Sequence, residues 1–347
     1  MAPEPTPPRR PTRILIAIGV GAFAAGAAWV ASHRPGFGTP DFQWWWLAAR
    51  ALIEGGNPYT AVQAGIAPEF QFLNPLPAAV LATPFALLRP DAGLALFSGL
   101  SASLLAYVVT RRSYDPLVMF LSASFAHAAV MGQWSMALTA ALFAPGLAFL
   151  GAAKPNIGIA IVAALASWRA AVAMLLFAAV SLLVRPSWPG EWLAAISGPT
   201  WHLSPLGVPG GVLLLLALLR WRRPEARLIA ALSVLPQSPF VYEALPLFLV
   251  PRSRPEFYAL VIGSDIALGV YVFFRGTPTQ EYLEINALAV VLCMYLPALV
   301  MVLRRPNHGA LPGWMERAAS VLPVRIRGNR DVGSSVPTHG DPNASAT

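Results

Sequence analysis

The stretch 39–77, TPDFQWWWLAARALIEGGNPYTAVQAGIAPEFQFLNPLP, holds the residues whose types could do chemistry. An acid stands at its head (Asp41), three tryptophans follow (Trp44, Trp45, Trp46), and two further acids lie downstream (Glu54, Glu69). A carboxylate that stays ionised can take a proton from a hydroxyl, which is what a general base does. The plain reading is a helix start, with Thr39 as N-cap, Pro40 at the first position and Asp41 in the first turn. The two roles are compatible, because a helix N-terminus keeps a carboxylate charged. Trp45, Ala48, Ala49 and Leu52 then fall on one face at helical spacing. The three tryptophans suit a helix lying flat at a membrane surface, either as an aromatic belt or as a platform for a sugar or lipid chain. Gly55-Gly56-Asn57-Pro58-Tyr59 ends that helix, glycine as the C-terminal cap and proline as the stop.

Further polar residues interrupt apolar blocks. Gly132-Gln133-Trp134-Ser135, with His127 just before it, reads as a cavity lining or as an interhelical hydrogen bond. Lys154, the sole lysine, begins Lys154-Pro155-Asn156. It reads either as a side chain snorkelling from a helix end or as a cation for a phosphate. Pro236-Gln237-Ser238-Pro239 is followed by Tyr242 and Glu243, and a glutamate there needs a partner or water. Asp265, inside a block at 255–274, reads as a structural hydrogen bond. No GxxxxGK[ST], HExxH or GxSxG occurs, so ATP hydrolysis, zinc proteolysis and serine-hydrolase chemistry find no support. Cys293 is the only cysteine, which excludes an intramolecular disulfide and Cys-rich metal sites.

The elements that must position these residues are greasy. The 347 residues are 56% hydrophobic and 12% charged, about half the charge of a soluble domain. Apolar blocks of about 15–20 residues predict membrane helices rather than the period-two alternation of a barrel. The expected fold is an all-α polytopic membrane protein of about 9–12 spans. Residues 1–13 read as a disordered cytoplasmic tail, 14–303 as the membrane domain and 304–347 as a second cytoplasmic, mostly disordered tail. The first span is 14–32. The stretches 33–74 and 185–209 read as outer loops, the second carrying Trp188, Trp192, Trp201 and His202.

The net charge of +8 is almost all arginine, and in such a chain it marks cytoplasmic loops rather than nucleic-acid binding. Arg220, Arg222, Arg223 and Arg227 place 220–227 inside, and Arg252 and Arg254 do the same for 251–254. Residues 226–250 must go out and return, which predicts a thin hairpin turning at 236–239. If 75–110 made two spans, Arg111 and Arg112 would fall outside, against the rule. The alternatives are that 75–88 is a short re-entrant or interfacial piece, or that the rule fails locally.

Taken together, these pieces resemble the membrane-embedded polyprenol-phosphate-mannose-dependent α-mannosyltransferases, glycosyltransferase family 87. The resemblance rests on Asp41 with its aromatics, Ala48-Ala49-Arg50-Ala51-Leu52, Gly55-Gly56-Asn57-Pro58-Tyr59 and Asn74-Pro75-Leu76-Pro77 with Pro84-Phe85. It extends to the breaks at Gly132-Gln133, Lys154-Pro155-Asn156 and Pro236 to Glu243, over residues 14–303. It implies a GT-C-like bundle with a helical first outer loop and an active site facing outward from a bacterial-type plasma membrane. A sugar, mannose or another hexose or pentose, would pass with inversion from a polyprenyl phosphate to a lipid or glycan acceptor. Asp41 would be the base. Lys154 and Arg50 would face the donor phosphate, and Trp45, Asn57, Tyr59, Gln133, Gln237 and Glu243 would line the substrate pocket. No cofactor is implied, and a divalent metal is left open. The chain departs from the family pattern at Gln237, where histidine is usual, and at Glu243, where aspartate is common. It also leaves little room for a cytoplasmic loop between 135 and 153. The competing readings are a lipid or glycan transporter, or a non-catalytic relative in envelope assembly.

Overall fold

The computed structural model describes residues 9–66, 72–198, 202–275 and 279–309. Glu69, Trp201, most of the first tail and residues 310–347 lie outside the described residues. The described part is helical, and its one β-type pairing is an isolated antiparallel bridge between Leu203 and Gln237. The helices are α1 (Arg10–Ser32), α2 (Phe42–Ile53), α3 (Pro58–Gly65), α4 (Leu76–Ala86), α5 (Pro90–Val109), α6 (Ala123–Met131) and α7 (Ser135–Phe143). They continue as α8 (Pro155–Leu165), α9 (Trp168–Ser181), α10 (Trp188–Ile196), α11 (Pro224–Val234) and α12 (Arg254–Phe273). Finally α13 (Thr279–Val290) passes through a π-turn at Val291–Tyr295 into α14 (Leu296–Leu303). Among the described residues four spans are long and apolar enough to cross a membrane: Arg10–Ser32, Pro90–Val109, Arg254–Phe273 and Gln280–Leu303. This is fewer than the nine to twelve spans expected, because the other apolar blocks are broken into shorter helices.

α1 and α5 run antiparallel along their whole length. Arg13 donates to Tyr107 O (2.7 Å) and stacks on its ring at one end, while His33 meets Asp91 (3.4 Å) at the other. Gly21 and Gly99 let the backbones touch at the crossing, where a Cβ on Gly21 would lie 2.7 Å from Gly99 O. α4 has 11 residues, about 16 Å of helix, too short to span. Leu76–Ala86 is thus a short helix, and α5 brings Arg111 and Arg112 to the same end as Arg10 and Arg13. From there Arg254–Asp115 (2.7 Å), Arg252–Glu225 (2.8 Å) and Arg305–Glu256 (2.7 Å) tie the remaining arginine-rich segments to that end. Glu225 is buried and takes both Arg252 and Arg305, a sensible sharing of one desolvated carboxylate.

Three chain reversals point toward the opposite end. α6 rises from Ala123, whose N–H bonds Asp265, and α7 falls to Phe143, whose carbonyl lies 3.5 Å from Arg111. Their turn is Gly132-Gln133-Trp134. A 3-10 segment, Pro145–Ala153, rises to Lys154, and α8 descends to Ala163 and Ala164, whose carbonyls accept from Arg227. α11 rises to Pro236, and the 3-10 segment Val241–Leu249 returns toward Arg252. This is the hairpin predicted from the flanking arginines.

Gly132 makes the first turn possible. Its φ of +65° is left-handed, and a Cβ there would strike Phe42 Cβ at 2.7 Å. Gly132→Ala is expected to cost about 1–3 kcal/mol, read as a lowered unfolding temperature in detergent. An unchanged midpoint would contradict this packing.

Candidate functional site

Asp41 sits at the N-cap position of α2, two residues later than the Thr39 cap expected, with helical backbone angles (φ −59°, ψ −26°). Its carboxylate makes no capping bond. Instead, Oδ2 accepts a hydrogen bond from Gln133 Nε2 and another from Tyr242 Oη (2.9 Å). Among the described residues Oδ1 has no hydrogen-bond donor, and the residue is half-buried. The acid is thus free of the helix whose start it occupies.

The network closes into a ring. Gln133 Oε1 accepts from Lys154 Nζ (3.1 Å), and Lys154 Nζ donates to Glu243 Oε1 (2.5 Å). Glu243 adjoins Tyr242, which returns to Asp41. The amide of Gln133 is the right link, since it presents donors to one neighbour and an acceptor to the other. Glu243 is 2% exposed and Lys154 12%, so the pair is desolvated. The five members arrive by four routes: Asp41 from the start of α2, Gln133 from the first turn, Lys154 from the second, and Tyr242 and Glu243 from the 3-10 segment that follows the third. Burial pushes the Asp41 carboxyl above its ordinary value, against the opposing pull of Tyr242, Lys154 and Gln133. A shielded aspartate with a raised proton affinity and one free oxygen suits proton abstraction.

Other sequence-predicted residues lie elsewhere. Arg50 is exposed and bonded to Glu54 (2.6 Å) on the outer face of α2, an i,i+4 pair away from the ring. Trp45 is a core residue rather than an open platform, packed against Phe42, Phe97 and Trp134. Leu52 of the same predicted face is only partly buried. Asn57 caps α3 by accepting from Tyr59 N (2.9 Å), the local role its position favours. Tyr59 is buried against Phe72. Gln237 bonds Leu232 O and receives Tyr295 Oη (3.1 Å), beside the ring but outside it. Its neighbouring cavity is lined by Leu203, Ser238, Phe240, Glu243 and Tyr295. Asp265 accepts from Ala123 N (2.8 Å), the structural role expected. Among the described residues no group of three His, Cys, Asp or Glu side chains could hold a metal ion.

Two participants carried no assigned role in the sequence. Tyr242 and Ser238 form the link from Asp41 to the third turn, with 3.1 Å between their hydroxyls. Their signal was position, on and just after the turn that leads to Glu243. His202 lies within the field of Lys154, and burial with that charge holds its imidazole down at about 4, so it is neutral near pH 7. Comparison with family models, curated proteins and solved structures finds no match to this chain.

Removing either partner of the Lys154–Glu243 pair strands a buried charge. Lys154→Met and Glu243→Leu are each expected to cost about 3–5 kcal/mol, and the double variant much less than their sum. Chemical unfolding of the three variants in detergent checks this, and additive losses would show that the two groups are not coupled.

Proposed function

We propose that the chain is a membrane glycosyltransferase of GT-C type, with Asp41 as general base. It would move a sugar, mannose or another hexose or pentose, from a polyprenyl phosphate to a lipid or glycan acceptor. The observation that carries this reading is the Asp41 carboxylate, withheld from its helix and given to Gln133 and Tyr242 with one oxygen open. The arginine-rich end supports cytoplasmic termini, with the Asp41 ring toward the outer face. In the reaction, Oδ1 takes the acceptor's hydroxyl proton as that oxygen bonds the anomeric carbon. The carbon–oxygen bond to the polyprenyl phosphate breaks, and the phosphate leaves with the electron pair. Displacement from the opposite side inverts the anomeric centre.

Lys154 uses two of its three N–H donors on Gln133 and Glu243. The third can meet a phosphate oxygen as negative charge develops on the leaving group. Arg50, committed to Glu54 and exposed, is not part of this proposal. Gln133 orients Asp41 and relays the charge of Lys154 to it.

A second reading, a lipid or glycan transporter, draws on the three short helix pairs whose breaks meet at one site, an arrangement also found where transporters bind substrate. The test is transfer of radiolabel from a polyprenyl phosphate sugar into lipid extracts of membranes. Asp41→Asn is expected to lower transfer at least about 100-fold while the variant inserts and unfolds as the wild type does. Full transfer by Asp41→Asn would sink the base assignment, and movement of intact donor without a new glycosidic bond would favour transport. Because the ionised carboxylate is the base, wild-type transfer should fall as pH drops through a value above the 3.8 of an ordinary aspartate.

A further inference from the structure

A base that takes a proton each turnover must release it. Of the two groups that donate to Asp41, the Gln133 amide can pass a proton only through an imidic acid tautomer. A phenol passes one by simple exchange. Tyr242 Oη lies 2.9 Å from Asp41 Oδ2 and 3.1 Å from Ser238 Oγ, and between the two hydroxyls either can be the donor. Ser238 is only partly buried and lines the cavity it shares with Leu203, Phe240 and Glu243. The route through Gln133 would have to cross Lys154 and Glu243, and although Glu243 lines the same cavity it is held in the buried ion pair with Lys154.

From this geometry we propose that Tyr242 and Ser238 form the proton exit of the site, with Tyr242 also positioning Asp41. This rests on the reading of Asp41 as the base. A half-turn of the protonated carboxyl about Cβ–Cγ brings its hydroxyl to Tyr242. The Asp41 proton then passes to the Tyr242 oxygen, the Tyr242 proton passes to Ser238 Oγ, and the Ser238 proton passes to water in the cavity. One proton leaves, both hydroxyls are restored, and Asp41 regains its negative charge. The groups facing this path are few. Lys154 Nζ is 5.5 Å from the Tyr242 ring, the His127 ring is 5.0 Å from it on the α6 side, and Glu243 adjoins it on the chain. His202 faces Lys154 from the segment preceding α11.

The test uses membrane vesicles with their own acceptor lipids and a radiolabelled mannosyl polyprenyl phosphate, followed against pH in H2O and D2O. Tyr242→Phe removes a donor to the Asp41 anion. That raises the proton affinity of Asp41, so the acid limb of the rate should move to higher pH by about one to two units. The rate should fall about tenfold. Ser238→Ala keeps the Tyr242–Asp41 bond, so the limb stays while the rate falls several-fold and the solvent isotope effect grows. Ser238→Thr, which retains a hydroxyl, should restore both. Wild-type rates and pH profiles in Tyr242→Phe and Ser238→Ala, beside an inactive Asp41→Asn, would overturn the exit and leave the base assignment standing. Equal behaviour of the alanine and threonine variants would also overturn the exit. A fully active Asp41→Asn would remove both.

Discussion

One ammonium group, Lys154 Nζ, holds the centre of this molecule together. It is the only lysine in the chain, it is nearly buried, and it has two carboxylates to satisfy, Glu243 directly and Asp41 through Gln133. Isolated charges under a greasy surface are costly, and these are tolerated because each has a partner with fixed geometry. The arrangement leaves one negative charge more than positive. Asp41 and Glu243 each keep one oxygen without a donor, but Glu243 has Lys154 in direct contact, so the excess falls on Asp41, whose proton affinity burial raises.

The surrounding fold can be understood as the means of bringing five side chains to one place from four parts of the chain. Short helices rise and turn back instead of spanning, and their turns carry the polar groups. Small residues make this packing possible. Gly151 and Gly158 bring the arms of the second turn into backbone contact, a Cβ on Gly158 falling 2.4 Å from Gly151 O. Alanines fill much of the buried surface around α4, α7 and α8. Gly132 lets the first turn reach Phe42, the residue beside Asp41. The long antiparallel pair α1 and α5 fixes the two ends, arginines at one and the Asp41 loop at the other.

Parts of this were legible in the sequence. Composition and block length marked a helical membrane protein, and arginines on either side of 226–250 marked the third turn. Asp41, Gln133, Lys154 and Glu243 stood out because polar residues among apolar ones need a reason. What stayed hidden was pairing over distance. Lys154 and Glu243 are 89 positions apart, Tyr242 and Asp41 201 apart, and nothing local announces such partners. The burial of Trp45 was hidden as well, because a tryptophan triplet does not say which of its faces meets protein and which meets lipid. The Arg111 conflict rested on counting 75–88 as a span, and α4 is too short for one. Arg50 illustrates the reverse, since a partner four residues away on the same helix face was there to be read and accounts for it locally.

The stereochemistry of the product tests the central claim most directly. Purified protein in lipid nanodiscs, given a polyprenyl phosphate sugar of known anomeric configuration and a lipid extract as acceptor, should yield a glycoside whose anomeric proton shows the opposite configuration by NMR. A single displacement promoted by Asp41 requires that inversion. A product of retained configuration, or donor recovered intact on the far side of a sealed vesicle, would contradict it.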